Sequence, residues 1–135
     1  MKKTAVSALL ALMPLLAACG GDTESTFGIM VQIRDAQTGA QAWYDATMVT
    51  SDGAYADTIR GSLGFPPSYR DSVTWLGAAR DRPGTYTVTI THPAYQTWRR
   101  EGVRVRRGDG ANPFDGSDVP ETVTLVAELQ PLPQN

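Results

Sequence analysis

The stretch that most constrains the fold covers residues 84–98, near the middle of the chain. Here Tyr86, Val88 and Ile90 are each separated by a single threonine. A period of two with β-branched residues is typical of a strand that buries one of its faces. Pro93 cannot donate to a strand ladder, so it ends this strand before a second extended run begins. The centre of the chain is therefore predicted to be a β-hairpin.

Similar alternation elsewhere predicts further strands, separated by clusters of turn-forming residues. Asp52 and Gly53 are predicted to form a two-residue hairpin turn, and a break is expected near Glu101 and Gly102. Residues 61–70 and 107–120 are rich in glycine and proline and are predicted to be loops. The predicted strands cover residues 27–34, 45–51, 54–60, 73–79, 84–91, 95–106 and 121–129.

No stretch after residue 18 has the apolar periodicity of a helix. Seven short strands with turn signals at close intervals predict an all-β fold, a seven-stranded antiparallel Greek-key sandwich. Within it, we expect Val88 and Leu125 to lie in the core.

The first eighteen residues have a different character. Lys2 and Lys3 precede an apolar run over residues 5–16, which is short for a membrane span and typical of a signal peptide. The run ends in Leu-Ala-Ala-Cys, which resembles the lipobox of bacterial lipoproteins. The resemblance implies that Cys19 is lipidated and becomes the mature N-terminus. Cys19 is the only cysteine in the chain, so an internal disulfide is excluded.

These features divide the chain into a lipoprotein signal peptide (1–18), a lipidated tether (19–26) and a β-sandwich domain (27–130). We expect the protein to be anchored to a membrane of the cell envelope through lipid on Cys19, since multiple acyl chains give stable attachment. Gly20 stands where aspartate would signal retention in the inner membrane. The resemblance therefore implies the outer membrane, with the domain facing the periplasm.

Charge also limits the class of partner. Without residues 1–18 the chain has ten arginines, no lysine and fourteen acidic residues, a net charge of −4. A mildly acidic domain has no general electrostatic attraction for nucleic acid, so we expect no nucleic-acid partner.

Three motifs resemble the carboxypeptidase regulatory-like domains, which have a transthyretin-like sandwich fold. They are IMVQIRDAQTG at residues 29–39, PGTYTVTIT at residues 83–91, and the pair Ala94–Tyr95. The resemblance implies a non-catalytic role, either as a scaffold or in an interaction with another protein of the cell envelope.

Catalytic and metal-binding chemistry has few candidates in this sequence. His92 is the only histidine and is expected to be an exposed turn residue; neither a catalytic site nor a cofactor is predicted. One histidine cannot form a zinc site. Calcium remains an open alternative for one loop, although a composition of turn formers explains the same residues. The candidate oxygen ligands are Asp109, Asn112, Asp115 and Asp118.

Arginines cluster after Trp98 and suggest what the domain contacts. Arg99, Arg100, Arg104 and Arg106 are candidates for binding anionic lipid or an acidic envelope protein. The alternative is a solvated edge strand that arginines protect from aggregation. The sequence thus predicts a membrane-anchored, non-catalytic binding or scaffold lipoprotein. The alternatives are a small hydrolase, or a carbohydrate or inhibitor module, on the same sandwich.

Overall fold

The computed structural model of the protein describes residues 26–62, 75–111 and 118–134. These residues form strands and turns without any helix, so the all-β prediction is confirmed. No helix long and apolar enough to cross a membrane occurs in these three ranges. The strands are β1 Phe27–Asp35, β2 Thr47–Asp52, β3 Tyr55–Arg60, β4 Leu76–Arg80, β5 Gly84–His92, β6 Tyr95–Val105, β7 Arg107–Ala111, β8 Asp118–Pro120 and β9 Val123–Leu129.

The strands form two larger sheets and a small ribbon. Sheet I has the order β4-β1-β9, sheet II has the order β3-β2-β5-β6, and β7 pairs with β8 in the ribbon. Among the described residues, only β1 and β9 pair in parallel, with Ile29 opposite Val123. The prediction of antiparallel sheets therefore holds except at this pair. Alternation shows which face of a strand is buried, but it carries no information on strand direction.

The core lies between sheets I and II in a sandwich-like arrangement. The alternating residues of β1 and β5 supply its centre, and the predicted core residue Val88 is fully buried. Leu125, also predicted to be in the core, is half-buried and packs against it. Trp43, outside the strands, is the largest fully buried side chain. A Cβ at the buried Gly61 would collide with the Trp43 carbonyl oxygen, so glycine is required there.

The two predicted hairpins form, each with a local adjustment. In the first, Asp52 pairs with Tyr55, so the two turn residues are Gly53 and Ala54, one position later than predicted. Gly53 has a φ of 67°, which glycine adopts without the steric cost of a side chain. In the second hairpin, β6 is continuous, and the break expected near Gly102 is a β-bulge.

Residues 107–120 are not simply the predicted loop. Their two ends pair as β7 and β8, with Arg107 opposite Pro120 and Ala111 opposite Asp118; residues 112–117 lie outside the described part of the chain. The predicted loop is therefore wrong for residues 107–111 and 118–120, which pair as strands. Sheets I and II contain seven strands, and the ribbon brings the described total to nine.

Several strand ends meet at one end of the molecule. Phe27 at the start of β1 is opposite Arg80 at the end of β4, and Gly84 at the start of β5 is opposite Val105 at the end of β6. Because only three residues join β4 to β5, these ends of the two sheets lie on the same side. We call it the proximal end, defined by these four residues.

Candidate functional site

The predicted arginine strand is β6, an edge strand of sheet II. Val103 and Val105 are buried, whereas Arg104 and Arg106 are exposed, as their alternation predicts. Arg104 is opposite Thr85 of β5. Arg106 directly follows β6, and its carbonyl oxygen accepts a 2.9 Å hydrogen bond from a backbone N–H. Both arginines therefore belong to the proximal end.

The other two predicted arginines lie further along β6 and apart from this pair. Arg99 Nη2 is 2.8 Å from Glu101 Oε1, so its charge is already paired at the surface. Arg100 is the cross-strand partner of Val88, which places it on the core-facing side of the sheet, although it is exposed. Consecutive residues of a strand point to opposite faces. The bulge at residues 101–102 also changes the alternation before Arg104. The structure does not bring the four predicted arginines together.

The structure instead forms a groove at the proximal end, with a volume of about 540 Å³. We call it the arginine groove. Arg107, at the start of β7, joins Arg104 and Arg106 in its wall. The predicted site omits Arg107; because consecutive residues of a strand point to opposite faces, its position directly after Arg106 does not by itself place it in the same wall. The groove is lined by Pro83, Gly84, Thr85, Arg104, Val105, Arg106 and Arg107.

The carboxylate of Asp52 lies beside Gly84, one of the residues that line the groove. Its Oδ2 atom would lie 3.0 Å from a Cβ on Gly84, and it is also 3.7 Å from Arg82 Nη2. Arg82 in turn stacks on the ring of Tyr55, with its guanidinium carbon 4.1 Å from the ring centroid. Asp52 therefore has a cationic neighbour in Arg82.

The opposite end of the sandwich, which we call the distal end, is defined by Asp35, His92 and Tyr95. Asp35 Oδ1 accepts hydrogen bonds from the backbone N–H groups of Gln37 (2.7 Å) and Thr38 (2.9 Å), and Oδ2 accepts one of 2.9 Å from the Tyr95 hydroxyl. The last bond joins two of the motifs that carry the family resemblance, at positions 60 residues apart.

These bonds also shift acidities at the distal end. The Thr38 N–H is the main cause that lowers the pKa of Asp35, and the Tyr95 hydroxyl and the Gln37 N–H add to it, against the opposing effect of burial. Burial, followed by the hydrogen bond to the Asp35 carboxylate, raises the pKa of Tyr95. The pair thus favours a charged Asp35 and a neutral Tyr95.

His92 has both ring nitrogens engaged. Its Nδ1 is 3.0 Å from the backbone nitrogen of Ala94, and its Nε2 is 2.9 Å from the carbonyl oxygen of Tyr44. Because a backbone N–H only donates, Nδ1 accepts and Nε2 carries the proton that it donates to Tyr44. His92 is therefore the last residue of β5, directly before the turn and not in it as predicted, and it is half-buried and not exposed. This arrangement fixes the turn after β5.

A cleft beside His92 is not predicted from the sequence. It consists of two adjoining concavities of about 370 and 280 Å³ that share Asp45 and His92. Tyr44 and Tyr95 line the larger one, together with Gln41, whose buried Oε1 has no hydrogen-bond partner among the described residues. No local motif marks these residues, since they come from two segments that are distant in the sequence, 41–47 and 91–95. We call it the distal cleft.

The remaining candidates gain no site from the structure. In the described ranges no three His, Cys, Asp or Glu residues are grouped to hold a metal ion. Asp109 and Asp118 belong to the β7–β8 ribbon, whereas Asn112, Asp115 and Cys19 lie outside the described residues. Of the tryptophans, Trp43 fills the core and Trp98 is half-buried against it.

The fold and its surface define a class, an all-β domain with a sandwich-like core and an arginine groove at one end. A scan against models of known protein families and a search of curated proteins find no match to this chain.

Proposed function

We propose that this protein is a lipid-anchored, non-catalytic binding or scaffold module of the cell envelope, attached to the outer membrane through Cys19. The observation that carries the proposal is the order of the N-terminal sequence. A basic start, an apolar run and a lipobox-like tetrapeptide precede Cys19, and β1 begins at Phe27, eight residues later. A folded domain thus starts soon after the expected attachment point.

The same proposal assigns residues 27–130 to a transthyretin-like, carboxypeptidase regulatory-like domain with a Greek-key arrangement of seven strands. The seven strands of sheets I and II support this assignment. A second support is the hydrogen bond from Tyr95 to Asp35, because it directly connects two of the motifs that carry the resemblance. The Asp35 carboxylate holds the turn after β1 and fastens it to the start of β6.

The arrangement of His92 supports a non-catalytic role over the hydrolase alternative. A general base needs a nitrogen lone pair that faces a substrate, and the accepting nitrogen of His92 is engaged by the backbone of Ala94. The ring therefore contributes to the turn and has no free lone pair for proton abstraction.

Lipidation is tested in bacteria that process other lipoproteins, with an alkyne-bearing fatty acid as label and intact mass as readout. The wild-type chain is expected to lose residues 1–18, incorporate the label and sediment with membranes. Cys19→Ala should give unlabelled protein, either as uncleaved precursor or as a species without acyl chains. An unmodified Cys19 in the wild-type protein would refute the proposal.

Gly20→Asp is the matched control for this experiment. It leaves Cys19 in place, so the label should still be incorporated. If the protein is an outer-membrane lipoprotein, this variant should move to the inner-membrane fraction. A wild-type protein found in the inner membrane would contradict the assigned location while leaving lipidation intact.

The distal cleft specifically favours the carbohydrate-binding alternative. Tyrosine rings beside carboxylate and amide oxygens can stack on a sugar and accept its hydroxyl protons, and Tyr44, Asp45 and Gln41 provide these groups. Titration with envelope oligosaccharides, followed by amide chemical shifts, tests this function. Shifts around the cleft that disappear in Tyr44→Ala but persist in Tyr55→Ala would support it, and the absence of shifts would reject it.

A further inference from the structure

The three arginines of the groove are held by a backbone that is fixed on several sides. Arg104 is opposite Thr85 in the β5–β6 ladder, and Arg107 is opposite Pro120 in the ribbon. Between them, the Arg106 carbonyl oxygen accepts a 2.9 Å hydrogen bond from the Glu121 N–H. The positions from which these side chains start are therefore set by two neighbouring segments, β5 and residues 120–121, and all three side chains line one groove.

The chain enters the domain beside this groove. The N–H of Thr26 donates to Asp81 Oδ1 (3.3 Å), and the N–H of Asp81 donates to the Thr26 carbonyl oxygen (3.0 Å). Asp81 is only two residues before Pro83, which lines the groove. These two bonds fasten the start of the described chain next to the groove.

A second contact independently links the chain start to the groove. A Cβ on Gly28 would lie 2.9 Å from Cγ1 of Val105, so β1 packs directly against the end of β6. Val105 lines the groove between Arg104 and Arg106. The start of β1 and the groove thus occupy the same end of the sandwich.

Chain length limits how far this end can be from an anchored Cys19. Seven residues separate Cys19 from Thr26, counting Thr26, and even a fully extended chain of that length spans at most about 25 Å. Electrostatic attraction acts over a Debye length of roughly 8 to 10 Å at physiological salt. An anchored domain is therefore kept where its proximal end can contact lipid headgroups.

Arginine is well suited to bind the phosphate groups of lipid headgroups at the membrane surface. Its planar guanidinium donates paired hydrogen bonds to phosphate oxygens, and it stays charged at any physiological pH. Three arginines in one groove form a local positive site on a chain whose mature charge is −4. A phosphate group is the ligand that this chemistry and this location favour.

We propose that the arginine groove binds the phosphate groups of anionic phospholipids and so holds the proximal end of the domain against the membrane. The inference rests on the proposed function for the presence of a membrane, whereas the binding chemistry belongs to the groove. It replaces the four-arginine strand expected from the sequence with Arg104, Arg106 and Arg107. The distal end, with its cleft, then faces away from the lipid.

Binding is measured by co-sedimentation of a chain starting at Gly20, which retains all described strands and the described core. The vesicles contain either phosphatidylglycerol mixed with phosphatidylcholine, or phosphatidylcholine alone. We expect binding to the anionic vesicles that weakens as salt is added. A basic residue near an anionic leaflet adds about fivefold to partitioning, so three add roughly a hundredfold. Equal binding to both vesicles would overturn the proposal.

Two triple variants separate the groove from charge in general. The groove variant is Arg104→Gln, Arg106→Gln and Arg107→Gln, and it should lose at least about tenfold in partitioning. The matched control is Arg60→Gln, Arg99→Gln and Arg100→Gln, which removes the same charge from exposed positions outside the groove. It should retain the wild-type partitioning within about twofold. Similar losses in both variants would overturn the proposal, and circular dichroism melting checks that both are folded.

Two soluble probes distinguish other sources of the anion. Inorganic phosphate, followed by the amide shifts of Gly84 and Thr85, should bind weakly and compete with vesicles. Binding of phosphate without binding of vesicles would overturn the membrane assignment in favour of a free phosphate ligand. Binding of a polyglutamate peptide without vesicles would overturn it in favour of an acidic protein. Since this chain lacks Cys19, failure here leaves the lipidation test unaffected, and the reverse also holds.

Discussion

Thr50 offers a direct test of how the core is assembled. It lies in the middle of β2, paired with Asp57 on one side and Val88 on the other, and its side chain is fully buried. Its hydroxyl Oγ1 has no hydrogen-bond partner among the described residues. The perturbation is Thr50→Val, which replaces the hydroxyl with a methyl group and keeps the branched shape.

The expected gain follows from the cost of the buried hydroxyl. A hydroxyl that gives up water without a new partner costs about 1 to 3 kcal/mol in proteins. The valine methyl would recover that amount and pack beside Val88. For a domain of this size, about 4 °C of melting temperature corresponds to each kcal/mol, so Thr50→Val should raise the melting temperature by about 4 to 12 °C.

The assay is urea and thermal unfolding followed by circular dichroism. Thr50→Ser keeps the hydroxyl and removes a buried methyl, so it should lower the free energy of unfolding by about 1 kcal/mol. Thr58→Val makes the same exchange at an exposed position of β3 and should change the stability by no more than about 0.5 kcal/mol. A Thr50→Val protein no more stable than wild type would mean that the hydroxyl is satisfied and would refute the reasoning.

Three further predictions concern the distal turn, the core and a close backbone contact. The Thr38 N–H, with the Tyr95 hydroxyl, lowers the pKa of Asp35 below its ordinary value of 3.8. The charged Asp35 carboxylate therefore stabilises the folded state fully above pH 3.8, and this stabilisation is lost as the pH falls through the pKa of the folded state. Tyr95→Phe should therefore lose less stability than wild type between neutral and acidic pH in urea titrations; an equal loss would contradict this. Val88→Asp should unfold the domain, since a buried carboxylate without a partner costs several kcal/mol of a total of about 5 to 15, and unchanged melting would disprove the burial of β5. Gly61→Ala should be poorly folded in amide spectra, because its Cβ would meet a backbone carbonyl that cannot move aside, and a native spectrum would contradict the contact.

Local patterns determined which residues form strands and which faces are buried. The alternation of Tyr86, Val88 and Ile90 with threonines gives the buried and partly exposed positions of β5 as predicted. The same is true of Val103 and Val105 against Arg104 in β6. These features are predictable because the faces of a strand depend only on nearest neighbours in the sequence.

Other features depend on residues that are distant in the sequence. The parallel pairing of β1 with β9 joins the two ends of the domain, and no local pattern specifies it. The bulge opposite Thr87 depends on the registration of β5 against β6. By changing that registration it separates Arg99 and Arg100 from Arg104. The four arginines that the sequence predicts to lie side by side on one strand are therefore split into two separate pairs.

The sequence by itself predicted an anchor at Cys19, and it determined the all-β class and the exposure of Arg104. Only the tertiary structure decided that Arg104 shares a groove with Arg107, and that this groove lies beside the start of β1. The physical reason is that side-chain alternation is a property of a few consecutive residues, whereas the meeting of strand ends depends on how two sheets pack around one core.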